Sequence, residues 1–232
     1  MYRAPVGFGM RATDRTIDDL LDGIASERVG PAGGTAAAFV GATGAACCEM
    51  VCIHSLDAAT DRNPLTTDSV GSTGEASSAG EDGSTSAAAE LVDAREELRS
   101  CRGGLLELGT ADERLVDALF GGSAAGIDDA DLKRATGVPL SIAEHCLVVL
   151  DVATAVVAHG TPRVVPDAIT GTKLTNGALS AALFTVRCNL GRIEDPSFRT
   201  EVTTRIEGIE ASAADATATV GDRAATFTDG TG

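Results

Sequence analysis

Through most of this 232-residue chain, apolar residues recur at helical rather than strand spacing. The clearest run lies between Pro139 and His159. There Ile142, Cys146, Val149, Ala153 and Val156 form one stripe, and Ala143, Leu147, Leu150 and Val157 its neighbour. Ser141, Glu144, His145 and Asp151 fill the opposite side, and Gly160 and Pro162 stop the helix. A short segment from Asp128 to Thr136 leads into Pro139. Pro166 starts a predicted helix to about Leu190, and Pro196 another to about Val220. Nearer the amino terminus, Thr16 suits the cap of a helix to Ile24 that carries two acids in its first turn. Val29 to Thr35 then breaks regularity and opens a helix to about Leu56. Gly and Ala line that helix on several faces, so other backbones can approach it closely, and it is expected at the bundle centre. Patterning resumes from Ala87 to Leu108, with a separate short helix from Ala111 to Phe120.

The sum predicts an all-α, single-domain bundle of about six main helices over residues 1–220, with no strand and no repeat period. Residues 57–86 are expected to be a mobile acidic insertion, because Asn63 to Ser86 has too few large apolar residues to offset its ordering entropy. Residues 221–232 are expected to be a flexible tail.

Composition narrows the function classes. The formal charge of −16 argues against nucleic-acid partners, whose phosphates would be repelled. Asp and Glu number 34, yet only Lys133 and Lys173 among the 18 basic residues are lysines, an acid-rich pattern suited to solubility in concentrated salt. With no Trp and one Tyr, the chain offers little for stacking on single-stranded bases. No secretion signal is visible at the amino terminus. The most apolar stretch, Ala36 to Ile53, contains Glu49 and reads as a packed helix rather than a membrane span. The six cysteines contain no C-x-x-C pair, the cluster of Cys47, Cys48 and Cys52 reads as buried thiols rather than a metal site, and without a secretion signal a cytoplasmic setting is expected.

No G-x-S-x-G, Walker or H-E-x-x-H motif is present. Gly33-Gly34-Thr35 at a helix start offers free amides to an anion, and would equally serve as a tight turn with close packing. On the Pro166–Leu190 helix, Asp167, Gly171, Ala178, Ala182, Thr185 and Asn189 share one face, while Lys173, Asn176, Ser180 and Arg187 share another. Asp167 suits a helix start and Asn189 a helix end, whatever else they do. They stand about 33 Å apart along a straight helix. For both to serve one site, the helix must break at Gly177 or a second subunit must supply one of them.

Four stretches, in this order, are similar to those of a known family. Pro31-Ala32-Gly33-Gly34-Thr35-Ala36-Ala37-Ala38 stands for P-G-G-G-S-A-A-A, and Lys133 to Glu144 for K-x-A-T-x-V-P-L-x-I-A-E. Pro166-Asp167-Ala168-Ile169 stands for S-D-A-G, and Thr185-Val186-Arg187-Cys188-Asn189-Leu190 for N-V-R-I-N-L. On these residues the chain resembles the cyclodeaminase/cyclohydrolase family, which comprises the helical carboxyl-terminal domain of formiminotransferase-cyclodeaminase and free-standing methenyltetrahydrofolate cyclohydrolases. The resemblance covers roughly residues 14–56 and 87–215. It implies an all-helical homodimer acting on a one-carbon tetrahydrofolate without metal or redox cofactor, and no membrane partner. The expected reaction is hydrolysis of 5,10-methenyltetrahydrofolate to 10-formyltetrahydrofolate. The alternatives are cyclodeamination of 5-formimino-tetrahydrofolate and a folate-binding or structural dimer without activity.

Under this resemblance the catalytic candidates are Asp167, Asp112 and Asn189. Pro31, Gly33, Gly34, Thr35, Lys173 and Arg187 are the substrate-binding candidates. Three departures stand out. Where the family reads D-A-x-A-Y/F, this chain reads Asp112-Glu113-Arg114-Leu115-Val116. The family's basic segment after the second helix is replaced by the acidic insertion, and Gly121 to Gly126 replaces a more helical region.

Overall fold

In a computed structural model of the chain, residues 15–62, 81–121 and 127–228 are described. Six helices hold nearly all of them: α1 (Ile17–Ile24), α2 (Gly33–Arg62), α3 (Glu81–Phe120), α4 (Asp129–His159), α5 (Val165–Leu190) and α6 (Pro196–Thr228). No strand occurs among the described residues. α1 is short and begins in a capping box. The Asp19 amide donates to Thr16 Oγ1, and the Thr16 amide donates to the Asp19 carboxylate.

The long helices alternate in direction. Gly41 meets Leu105, so α3 returns alongside α2, and Gly104 meets His145, so α4 runs back along α3. α5 lies antiparallel to both α4, through Asn189 and Ala135, and α2, through Cys48 and Ala168. α6 follows α4, with Lys133 bonded to Asp195 and Glu144 paired to Arg205. One end of the bundle, the proximal end, therefore gathers the starts of α2, α4 and α6 and the ends of α3 and α5. α2 packs on α3, α4 and α5, the central position that its small residues predict. The core between the helices is filled by side chains such as Leu98, Leu105, Ile142, Leu150 and Leu183.

Glycine matters most where α2 crosses α5. A Cβ on Gly44 would press on Thr175 Oγ1 and stand 2.6 Å from the Gly171 carbonyl oxygen. A Cβ on Gly171 would stand 2.6 Å from the Gly44 carbonyl. Backbone cannot swing aside as a side chain does, so the helices must part. Gly44→Val is expected to cost about 3 kcal/mol or more in urea unfolding. Gly208→Ala, where nothing stands within 4 Å, is expected to add about 0.5–1 kcal/mol.

Four boundaries differ from the sequence expectation, and three have visible causes. α4 runs unbroken through Pro139, joining two predicted segments. Proline removes the N–H that would satisfy the carbonyl four residues back, here Ala135. The Asn189 side-chain amide donates to that carbonyl at 2.9 Å instead. α3 is one helix through Gly109, where the missing side chain lets Ala38 and Phe39 of α2 approach. α6 continues eight residues past Val220, because Ala224 and Phe227 pack on the core and Arg223 lies 5.3 Å from the Phe227 ring centre. The flanks of the expected acidic insertion, residues 57–62 and 81–86, belong to α2 and α3. Its middle, residues 63–80, and the last four residues of the expected tail lie outside the described residues.

Two helical stretches, Gly33–Thr60 and Asp129–His159, are long and apolar enough to cross a membrane by length and composition. About half of each one's most apolar window (56% and 50%) is buried inside the bundle.

Candidate active site

The first turn of α2 sits against the last third of α3 at the proximal end. Thr35 Oγ1 donates to Asp112 Oδ2 at 2.8 Å, and both residues are buried. Gly34 makes this possible. A Cβ there would stand 2.7 Å from Asp112 Cγ, so any side chain would displace the carboxyl group. The free amides and positive end of α2 thus face a carboxylate of the chain itself, which is the anion the glycine pair is suited to hold. Beside this contact Gly33 is exposed, with nothing within 4 Å of where its Cβ would be.

Burial pushes the Asp112 carboxyl above its ordinary range. The Thr35 hydroxyl and amide oppose that rise, and the neighbouring Glu113 charge adds to it. Three carboxylates are buried among the described residues: Glu49, Asp112 and Glu113. Arg102 pairs with Glu49 at 2.9 Å and Arg15 with Glu113 at 2.8 Å, whereas no cation among the described residues pairs with Asp112. Among the buried carboxylates, Asp112 is the one held by a hydroxyl rather than by an arginine.

That rise has a consequence for stability. Folded Asp112 keeps its proton to a higher pH than the unfolded chain does, so the native state binds more protons across that window. Stability is then lost as pH rises from the ordinary carboxylate range through the raised value. Asp112→Asn removes this loss. Its melting temperature is expected to gain on wild type across that window, as followed by thermal melts.

The other candidates are dispersed. Asp167 is exposed in the first turn of α5, close enough to Cys47 to help raise that thiol's pKa. From Thr35 to that level of α2 is about 20 Å along the helix, so Asp167 and Asp112 do not share a site within one chain. α5 is continuous through Gly177, which removes the helix break as a way to join Asp167 and Asn189. Asn189 is at the proximal end, its amide committed to Ala135. Arg187 pairs with Glu210 at 2.8 Å, and Lys173 lines a cleft between α5 and α6 with Asn176 and Thr217. Pro31 packs against Gly23.

Burial pushes the Cys48 and Cys146 thiols up to about 12 and Cys52 to about 11, which suits core packing rather than nucleophilic chemistry. His145 is held to the Ser141 carbonyl, and His159 pairs with Glu90 at the distal end. Among the described residues, no group of three or more His, Cys, Asp or Glu side chains is arranged to hold a metal ion. Sequence reasoning did not single out Arg15 or Glu113. The adjacency of Glu113 to Asp112 on a helix that becomes buried there was the available signal.

Comparison with known proteins agrees with this architecture. Residues 16–208 match the formiminotransferase-cyclodeaminase family profile. The methenyltetrahydrofolate cyclohydrolase of Methylorubrum extorquens (strain AM1) is 32% identical over 215 residues, which is 87% of this chain and 92% of that protein. The crystal structure of formiminotetrahydrofolate cyclodeaminase from Thermotoga maritima superposes with a TM-score of 0.77 at 17% identity, covering 93% of this chain and 98% of that one, and so shares the fold. With a helical bundle and a family match across most of its length, this chain belongs to the formiminotransferase-cyclodeaminase family.

Proposed function

We propose that this protein is a methenyltetrahydrofolate cyclohydrolase with Asp112 as its acid–base group. The observation that carries the reading is the buried carboxyl of Asp112, held by Thr35 and paired with no cation among the described residues. Water adds to the methenyl carbon, giving up a proton to the carboxylate and leaving a neutral tetrahedral aminal. The C–N5 bond then breaks as the carbonyl forms, the hydroxyl proton passing to N5 by way of the same carboxyl group. The products are 10-formyltetrahydrofolate and one proton released to solvent. A carboxyl held above its ordinary range suits both transfers near neutral pH. While ionised, it also stabilises the cationic amidine of the substrate. No cofactor enters this scheme, since water is the only co-reactant.

Cyclodeamination runs through the same tetrahedral carbon, so the substrate test must separate the two. 5,10-Methenyltetrahydrofolate and 5-formimino-tetrahydrofolate are offered separately. Loss of methenyl absorbance without ammonia release from the second compound is expected. Ammonia release alone would assign the deaminase instead, and saturable binding with neither reaction a non-catalytic folate protein.

The reading extends to a homodimer. Thr170, Leu174, Gly177, Ala181, Phe184 and Cys188 follow one another at steps of four and three along α5, and all are exposed. Val40, Thr43 and Cys47 continue this uncharged face on α2, which lies beside it. Phe184 is 68% exposed, Val40 39% and Leu174 37%. An uncharged stripe is the exception on a chain of net charge −16, and it is where two such chains can meet without repulsion. The face measures about 27 Å by about 20 Å, so two copies bury roughly 1,000 Å², the area a specific interface needs. In such a dimer a two-fold axis perpendicular to α2 brings Asp167 of the partner subunit to the level of Thr35 and Asp112 where it crosses α2 midway between Cys48 and Thr35. The second subunit then supplies what a straight α5 cannot.

Six free cysteines suit a reducing cytoplasm. Folates are anions and the chain is strongly acidic, so activity is expected to rise from dilute buffer to molar salt as the repulsion is screened. A maximum in dilute buffer would contradict this.

A further inference from the structure

Behind Asp112 lies a buried ion pair. Glu113 stands where the family pattern has Ala. Arg15, one residue before the cap of α1, reaches it at 2.8 Å, and their side chains are 7% and 9% exposed. Arg15 Nε is buried without any hydrogen-bond partner, so Glu113 is what repays the desolvation of the guanidinium. Two adjacent buried carboxyl groups cannot both ionise cheaply, and without a cation they would compete for one proton.

We propose that Arg15 is a positioning residue for Asp112, holding Glu113 in a buried ion pair so that the Glu113 charge bears less on the Asp112 carboxyl at the start of α2. This deepens the cyclohydrolase reading and rests on it for the role of Asp112 in catalysis. The groups around the Asp112 carboxyl are Thr35 from α2 and Glu113 on its own helix, with Arg15 behind Glu113 and Asp117 a turn further on, facing Gly30. The Glu113 charge already bears on Asp112 with its partner in place. Remove the partner, and the two carboxyl groups become a coupled dyad. Remove Glu113 as well, and Asp112 is left with burial and Thr35 alone.

The test is a carbon-13 NMR titration of the aspartate carboxyl groups in wild type, Arg15→Gln, Arg15→Lys and the double variant Arg15→Gln/Glu113→Gln. The Asp112 signal is assigned by its absence from Asp112→Asn. Arg15→Gln is expected to move the Asp112 midpoint up by about one pH unit. Arg15→Lys and the double variant are expected to stay near wild type. Should Arg15→Gln fail to fold, Glu113→Gln takes its place, with a downward shift expected. A purely structural ion pair predicts lower melting temperatures with the Asp112 midpoint unmoved, and that result would overturn the proposal. The acid limb of kcat/KM against pH is expected to follow the same shifts. A moving NMR midpoint in a protein without hydrolase activity would uphold the coupling and reject the enzyme assignment, so the two failures are distinct.

Discussion

Asp112→Asn is expected to lower kcat about 10²- to 10⁴-fold, the usual worth of a positioned acid–base group. The substitution is nearly isosteric, and the amide oxygen can still accept from the Thr35 hydroxyl, which now donates to Asp112 Oδ2 at 2.8 Å. The variant should therefore fold, and by removing a costly buried carboxylate it should melt no lower than wild type near neutral pH. This separates chemistry from stability, since a collapse of activity in a well-folded variant can come only from the missing proton carrier. KM is expected to rise less than kcat falls, because proton transfer is lost outright while the attraction for the cationic amidine is one of several substrate contacts. Turnover within threefold of wild type would remove Asp112 from the mechanism.

The second large effect concerns the partner subunit. Phe184→Asp places a charge on this uncharged face, at its most exposed apolar side chain, and is expected to convert the proposed dimer to a monomer in sedimentation, with activity falling in parallel. A sharper result comes from mixing two inactive variants. In an equal mixture of Asp112→Asn and Asp167→Asn chains, about half of the dimers contain one of each. If each site takes Asp112 from one subunit and Asp167 from the other, one site in every such dimer is intact, and about one quarter of wild-type activity returns. If both groups came from a single chain, mixing would restore nothing. The geometry favours recovery, because the Cys48–Ala168 contact fixes Asp167 about 20 Å from Thr35 within a chain. Mixing Phe184→Asp with either variant is expected to restore nothing.

Much of the architecture is legible in the sequence because the helices announce themselves. Thr16 with Asp19, the two stripes between Ile142 and Val157, and the starts at Pro166 and Pro196 each rest on local physics that tertiary packing reinforces. What is not legible is what depends on a distant partner. Pro139 reads as a boundary until Asn189, 54 residues further on from Ala135, is seen to take the proline's missing bond. Gly109 reads as a break until Phe39 is seen against it.

The site is legible in part for the same reason. Gly33, Gly34 and Thr35 stand out as a helix start, but that their partner is Asp112 is a contact across 77 positions. A signal was present. Leu91, Ala94, Leu98, Cys101 and Leu105 step by three and four along the buried face of α3, and Asp112 falls two turns beyond Leu105 on that face. A carboxylate in phase with a core stripe is a functional candidate on burial alone. Asp167 and Lys173 carry no such phase. They lie on exposed or cleft-lining positions, and in the proposed dimer Asp167 would join a site only through a second copy that sequence periodicity cannot orient.

The opening of the methenyl ring by substoichiometric purified protein tests the central claim most directly. Near neutral pH and in high salt, methenyl absorbance is expected to decay in proportion to protein concentration over many turnovers. The expected product is 10-formyltetrahydrofolate, with Asp112→Asn close to the spontaneous rate. Decay at the spontaneous rate with folded wild-type protein, or equal acceleration by Asp112→Asn, would contradict a hydrolase centred on the start of α2.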